Sequence, residues 1–281
     1  MTTDDNVSDT SITYRNPEIK HSNPGTEVYL KFGFGPMPPS IRNSKIFYFD
    51  IDNCLYERTT GIHEMMQVKI HDYFKHNLKL NDEEAHELHM NYYKTYGLAI
   101  EGLVRVHKVD AIEYNAQVDD SLNLPSVLGY NEKLRDMLVR IRRDFDYFWL
   151  VTNAYSNHAL RVISLLGIGD LFDGLTFCDY SKFPIICKPM YPYFQNFLNL
   201  TNIDISNKEA MSKQYFVDDS ELNVKAAFKL GFGNVIHYVE INEEFEKLKS
   251  SEDFKDFYES GDNSGKKIKI IRNILDLERV L

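Results

Sequence analysis

The 281-residue sequence has few cysteines, a deficit of positive charge and no long apolar run. Its three cysteines, Cys54, Cys178 and Cys187, include no CxxC pair, so neither a disulfide framework nor a zinc site is expected. Lys and Arg number 32 against 42 Asp and Glu, a net charge of −10, so a nucleic-acid polymer is not an expected partner. No run approaches the roughly 18 apolar residues that cross a bilayer, so no membrane partner is expected.

The first 24 residues also lack a secretory signal. They carry acidic residues where a signal would be basic, and they contain no apolar segment, so we expect a cytoplasmic protein, with the nucleus as an alternative. Residues 1–41 are polar and rich in Pro and Gly, which predicts a mostly extended arm before the folded domain. Nothing in the sequence favours a particular oligomeric state.

Short apolar runs that end abruptly in polar residues predict strands buried on both faces. They occupy residues 46–49, 147–151 and 214–217, with a fourth run at 235–239 and a possible edge strand at 268–271. Helical patterns at residues 157–166 and 221–230 lie between these runs. Strands alternating with helices of this length predict an α/β fold with a doubly wound parallel sheet.

A stretch with helix signals and almost no strand signal separates the first two runs. Asn81 with Glu84, and Asp110 with Glu113, have capping-box spacing; Thr60 is a possible helix cap, and Gly97 is expected to end a helix. We therefore predict a helical cap at residues 59–135, inserted into an α/β core at residues 42–58 and 136–281.

Acidic and hydroxyl side chains follow the three main runs. Asp50 and Asp52 follow the first, Thr152 and Asn153 the second, and Asp218 and Asp219 the third. The carboxyl ends of parallel strands gather at one edge of the sheet, so these side chains should converge. Four carboxylates there would repel one another unless they held a hard cation, for which Mg²⁺ is the first candidate, and its usual companion is a substrate phosphate.

The tetrapeptide VDDS occurs at residues 118–121 and again at 217–220. The first copy ends a helical pattern in the insert, where we expect its acids to face water, whereas the second ends an apolar strand. Lys188, in a Pro-rich loop, is either an ordinary surface lysine or a cation that neutralises the aspartates and a phosphoryl group.

The order of these motifs resembles the haloacid dehalogenase superfamily. Its four motifs, DxDx(T/V), a strand-end Ser/Thr, a Lys and a final acidic pair, match Asp50 to Asp52, Thr152, Lys188 and Asp218 to Asp219; Cys54 departs from the first motif. The segments FDIDNCLY, VTNA and FVDDS resemble the fungal pyrimidine 5′-nucleotidase branch. The resemblance implies a Rossmann-like core with a helical cap.

The resemblance also implies roles for the matched residues. Asp50 would be the nucleophile that forms an aspartyl-phosphate, and Asp52 the general acid and base, which requires a raised pKa. Asp50, the main-chain carbonyl of Asp52, and Asp219 with Asp218 close by would bind Mg²⁺. The phosphoryl oxygens would be held by Thr152, Asn153 and Lys188. Asn223 matches a position that is often Asn or Asp in the superfamily, where it would support the metal site; the alternative is a solvent-facing helix residue.

The expected function is hydrolysis of a small phosphate ester, namely a nucleoside 5′-monophosphate with a pyrimidine preferred. The alternatives are lysophosphatidate, pyridoxal phosphate or a sugar phosphate as substrate, or a catalytically silent regulatory protein on the same fold. Carbon–halogen hydrolysis is disfavoured because its leaving group needs no acid such as Asp52.

Overall fold

A computed structural model describes residues 10–20, 22–96, 98–259 and 267–281. The strands in these ranges are β1 (Ile12–Arg15), β2 (Glu27–Leu30), β3 (Ile46–Phe49), β4 (Tyr147–Val151), β5 (Gly174–Thr176), β6 (Tyr215–Asp218), β7 (Asn234–Tyr238) and β8 (Lys269–Ile271). The helices are α1 (Ile62–Leu78), α2 (Asp82–Tyr96), α3 (Ala99–His107), α4 (Ala111–Gln117), α5 (Glu132–Ile141), α6 (Ser156–Leu165), α7 (Tyr191–Leu200), α8 (Lys208–Ser212), α9 (Glu221–Lys229), α10 (Asn242–Lys249), α11 (Phe254–Tyr258) and α12 (Leu277–Val280). No helix within these ranges combines the length and the apolar character that crossing a membrane would require.

Six strands form a parallel sheet in the order β5-β4-β3-β6-β7-β8. All four residues of β3 are buried, and Phe47 pairs with Phe148 on one side and Tyr215 on the other. The chain moves from β3 outward to β4 and β5, then returns to place β6 on the other side of β3. The carboxyl ends of β3 and β6 therefore meet at the topological switch point, where α/β folds bind ligands. The predicted α/β fold is confirmed.

The sequence pattern predicts one edge strand of the sheet and not the other. β8 lies where an edge strand was predicted, whereas β5 has only three residues and starts with Gly174, so it carries no strand signal. Its glycine is required by packing: a Cβ at position 174 would lie 2.4 Å from the ring of Trp149 on β4. The strand therefore forms because the sheet provides a partner of complementary shape.

Helices α1 to α4 pack around an apolar cluster that includes Phe74, Tyr92, Leu103 and Tyr114. The capping box before α2 is complete, because Asn81 and Glu84 each accept a hydrogen bond from the other's backbone N–H, and the Asp110 side chain accepts from two backbone N–H groups of α4. The predicted Thr60 cap is wrong: Gly61, at φ 78°, occupies the position before α1. Gly97, the predicted end of α2, lies outside the described residues.

Helix α5 crosses the predicted end of the cap at residue 135. Its apolar side chains Leu134, Leu138 and Ile141 belong to the same cluster as Phe47 on β3, so α5 packs against the sheet. The boundaries of the cap remain a prediction, but the four cap helices are followed by a helix of the core.

The described part of the N-terminal segment is not an extended arm. β1 and β2 form an antiparallel pair, Val28 and Leu30 are fully buried in the core cluster, and the Arg161 side chain of α6 donates two hydrogen bonds to Glu18. The many Pro and Gly residues led to the prediction of an extended arm. The spacing of Val28 and Leu30, two residues apart, is nevertheless the period of a strand. Residues 1–9 of the predicted arm lie outside the described residues.

The first VDDS copy also differs from its prediction. Asp119 is 4% exposed, and its carboxylate accepts no hydrogen bond from the residues that the structure describes. Asp120 accepts hydrogen bonds from Asn115 of α4 and Asn157 of α6, at 3.1 and 2.7 Å. These acids therefore lie where the cap returns to the core and do not simply face water.

Candidate active site

Asp50 is the first residue after the central strand. Its backbone N–H donates to the carbonyl of Val217 at 3.0 Å, which continues the pairing of β3 with β6 and brings Asp50 beside Asp218, the last residue of β6. Asp50 is 6% exposed and Asp218 is fully buried. The switch point therefore brings two carboxylates together in a region that excludes water.

Lys188 provides the cation for this pair. Its Nζ donates to Asp50 Oδ1 at 2.6 Å, to Asp218 Oδ2 at 2.7 Å and to the carbonyl of Val151 at 2.9 Å. The residue is 3% exposed, so it is not an ordinary surface lysine. Burial alone would lower the pKa of Lys188, but Asp218 and Asp50 outweigh it and raise that pKa above its usual range.

Asn153 fixes the backbone that carries Lys188. Its amide Nδ2 donates to the carbonyl of Lys188 at 3.0 Å, and its Oδ1 accepts from the Lys188 N–H at 2.8 Å. Two hydrogen bonds between one side chain and one residue's main chain hold the loop against the end of β4. The side chain of Asn153 is thus committed to the loop, which leaves its main-chain N–H for the predicted contact with a phosphoryl oxygen.

Three acids form a set suited to a metal ion. Asp50, Asp218 and Asp219 each offer a carboxylate oxygen, and these oxygens lie within 4.8 Å of one another. Burial, followed by the neighbouring Asp218, raises the pKa of Asp219 to about 7, and burial also raises the pKa of Asp50 despite Lys188. Lys188 alone therefore leaves negative charge uncompensated. An all-oxygen set with surplus charge fits Mg²⁺.

Asn223 supports this set. Its Nδ2 donates to Asp218 Oδ1 at 2.9 Å, and the residue is 6% exposed, so the solvent-facing interpretation is wrong. The carboxylate of Asp52 is not a member of the three-acid set. The expected metal contact of Asp52 through its main-chain carbonyl stays a prediction.

The Asp52 carboxylate is held by three side chains. Its Oδ1 accepts from the Tyr56 hydroxyl at 2.8 Å and from His158 Nε2 at 2.7 Å, and its Oδ2 lies 3.4 Å from Thr152 Oγ1. Burial would raise the pKa of Asp52, but His158 and then Tyr56 outweigh burial and lower it. The prediction of a raised pKa for Asp52 is therefore wrong, because it did not include these two partners. Burial opposes the charge on His158, but Asp52 raises the pKa of its imidazole.

Thr152 is fully buried at the end of β4. Its Oγ1 accepts from the Ala154 N–H at 3.0 Å, and its carbonyl accepts from the Tyr193 hydroxyl at 2.6 Å. The structure thus brings all seven predicted site residues to one edge of the sheet. Sequence reasoning missed Tyr56 and His158. The only sequence signal of Tyr56 is its position four residues after Asp52, and that of His158 is its position on the buried face of α6, the helix that follows Thr152.

The comparisons with known proteins agree with the fold and these motifs. No family model matches the chain. Phosphate metabolism protein 8 of Saccharomyces cerevisiae is 38% identical over 225 residues, which cover 77% of this chain and 68% of the yeast protein. The chain therefore belongs to the family of that protein, within the haloacid dehalogenase superfamily.

Two solved structures share the fold. A haloacid dehalogenase (HAD) phosphatase of Thermococcus onnurineus superposes with a TM-score of 0.52 at 16% identity, covering 84% of this chain and 97% of that one. The HAD hydrolase YfnB of Bacillus subtilis, determined with bound magnesium, gives 0.51 at 13% identity over 84% and 98% of the two chains.

Proposed function

We propose that the protein is a Mg²⁺-dependent phosphomonoesterase that hydrolyses nucleoside 5′-monophosphates, with pyrimidines preferred. The observation that carries the proposal is the position of Asp50, which contacts Lys188 at 2.6 Å and shares a three-acid set with Asp218 and Asp219 at the switch point. Membership in the superfamily supports phosphatase activity, and the FDIDNCLY and VTNA segments support the nucleotide.

Asp50 acts as the nucleophile in this proposal. Lys188 holds its Oδ1, so Oδ2 is available to attack phosphorus and form an aspartyl-phosphate. The alternative nucleophile nearest in sequence, Cys54, is buried, and burial followed by the neighbouring Asp50 raises the pKa of its thiol, which disfavours a thiolate.

Mg²⁺ bound by Asp50, Asp218, Asp219 and the main-chain carbonyl of Asp52 would neutralise charge on the acids and on the phosphate. Lys188 would neutralise charge on the phosphoryl oxygens, and Thr152 and the main-chain N–H of Asn153 would donate to them. These donors are held in advance by hydrogen bonds within the protein, so little reorganisation is needed as charge shifts during the reaction.

Asp52 transfers the protons. It protonates the alcohol oxygen of the leaving group, and it then takes a proton from the water that hydrolyses the aspartyl-phosphate. The negative charge of a phosphate group beside Asp52 would raise the pKa of its carboxyl, which favours the protonated form that the general acid needs.

The test is a phosphate-release screen with Mg²⁺ over nucleoside monophosphates, sugar phosphates, pyridoxal phosphate and lysophosphatidate, compared by kcat/KM. The proposal predicts the highest value for a pyrimidine nucleoside 5′-monophosphate and no release by Asp50→Asn. A clear preference for lysophosphatidate would replace the substrate and leave the mechanism, whereas undiminished turnover by Asp50→Asn would reject the mechanism.

A further inference from the structure

One buried histidine contacts the carboxylate that the proposed function assigns to proton transfer. His158 lies on α6 and is fully buried, and its Nε2 is 2.7 Å from Asp52 Oδ1. The hydroxyl of Tyr56 donates to the same oxygen at 2.8 Å. Two short hydrogen bonds from different parts of the chain fix the rotation of the Asp52 side chain.

The second oxygen of Asp52 is only weakly engaged. Thr152 Oγ1 lies 3.4 Å from Oδ2, near the outer limit for a hydrogen bond. A carboxylate that is held at one oxygen presents the other in a fixed direction. A general acid must lie about 2.6–3.2 Å from the oxygen that it protonates, so this direction matters for the rate.

The remaining contacts of His158 do not explain its burial. Its other ring nitrogen, Nδ1, is buried and has no hydrogen-bonding partner among the residues that the structure describes. Leaving a polar group in this state destabilises the folded protein, and an apolar side chain of similar size would avoid that penalty. Within the described chain, the contact with Asp52 is thus the one side-chain hydrogen bond of His158, and the nearby charge of Asp119 adds a weaker attraction to the imidazole.

We propose that His158 is a positioning residue that, together with Tyr56, holds Asp52 so that its Oδ2 faces the alcohol oxygen of the leaving group. This inference rests on the proposed function. His158 itself touches neither the phosphate nor the reacting atoms, and no bond to His158 forms or breaks.

Esters with different leaving groups separate this role from a merely structural one. The alkoxide of a nucleoside is a poor leaving group that needs a proton, whereas p-nitrophenolate leaves without one, so only the nucleotide depends strongly on a well-placed acid. The comparison uses kcat/KM, which reports the steps through phosphoryl transfer to Asp50, so slow hydrolysis of the aspartyl-phosphate does not mask the effect.

Two substitutions carry the test, with cytidine 5′-monophosphate and p-nitrophenyl phosphate as substrates. His158→Leu keeps a similar side-chain volume and removes the N–H that donates to Asp52. It should lower kcat/KM for the nucleotide about 10- to 100-fold more than kcat/KM for the aryl ester, which is a part of the 10²–10⁴-fold rate enhancement that a general acid supplies. His158→Gln keeps an N–H donor of similar reach and should recover most of the loss. The matched control is His89→Leu in the cap, at a buried histidine that does not contact Asp52. This variant should leave kcat/KM for both substrates unchanged.

If His158→Leu lowers kcat/KM equally for both substrates, the positioning role is overturned. Wild-type kcat/KM values in that variant would overturn it as well. If that variant does not fold, as judged by its thermal unfolding, His158→Gln is compared with the shorter His158→Asn. Equal nucleotide-to-aryl ratios in those two would contradict the inference. A wild-type protein that hydrolyses neither ester would instead reject the proposed function, an outcome distinct from the loss of a positioning role.

Discussion

Replacement of Asp119 by asparagine is expected to stabilise the protein at neutral pH. Asp119 is 4% exposed. Burial raises the pKa of its carboxyl from 3.8 to about 6, although the nearby His158 acts to lower that pKa. Because the folded pKa lies above the unfolded one, the folded protein retains this proton more strongly, and stability is lost as the pH rises through 6. A shift of about two pKa units corresponds to about 3 kcal/mol.

Asp119→Asn removes that penalty. The free energy of unfolding, measured by urea denaturation in EDTA, should increase by up to about 3 kcal/mol at pH 7.5 and by about half of that at pH 5. The neighbouring Asp120→Asn is the matched control with the opposite sign. Asn115 and Asn157 donate to different oxygens of Asp120, and the substitution replaces one of these oxygens by an NH2 group that cannot accept, which costs about 1–2 kcal/mol. An Asp119→Asn protein no more stable than wild type at pH 7.5, or a difference that does not vary with pH, would refute the reasoning.

Two further substitutions test the site and the sheet. Lys188→Met leaves Asp50 and Asp218 buried without their cation, so it should abolish phosphate release. It should also lower the free energy of unfolding by about 3–5 kcal/mol in EDTA and by less in Mg²⁺. Equal losses of unfolding free energy in both buffers would contradict a shared cation site. Gly174→Ala pushes a methyl group against the rigid ring of Trp149 and should cost about 1–3 kcal/mol in urea denaturation, whereas Gly129→Ala, with open space around its Cβ, should change stability by less than about 0.5 kcal/mol. Equal stability of the two glycine variants would argue against that packing.

The sequence was sufficient to predict the sheet and its acidic edge because both depend on local patterns. Four-residue apolar runs such as Ile46–Phe49 can be buried on both faces only in a central strand, and parallel strands bring their carboxyl ends together. The proximity of Asp50 and Asp218 therefore followed from strand order, whereas the position of Lys188 in a loop was expected only from the resemblance to the superfamily. The roles of these residues stay a proposal.

The sequence was insufficient where a residue's environment comes from distant parts of the chain. The pKa of Asp52 is lowered by His158, a residue 106 positions away, and no local pattern shows that contact. The surroundings of Asp119 and of the N-terminal segment also depend on a distant residue, because Arg161 of α6 donates to the main-chain carbonyl of Asp119 and to the carboxylate of Glu18. Such contacts depend on how helices lie on the sheet, which side-chain type and spacing do not determine.

Detection of a phosphoryl group on Asp50 tests the central claim most directly. Wild-type protein and Asp52→Asn are mixed with p-nitrophenyl phosphate and Mg²⁺, quenched in acid within milliseconds and analysed by peptide mass spectrometry. The account predicts the added mass of one phosphoryl group on the peptide that contains Asp50, with more of it in Asp52→Asn, because the base for hydrolysis is missing. Turnover without a phosphorylated Asp50 in either protein, or a phosphoryl group on another residue, would contradict it.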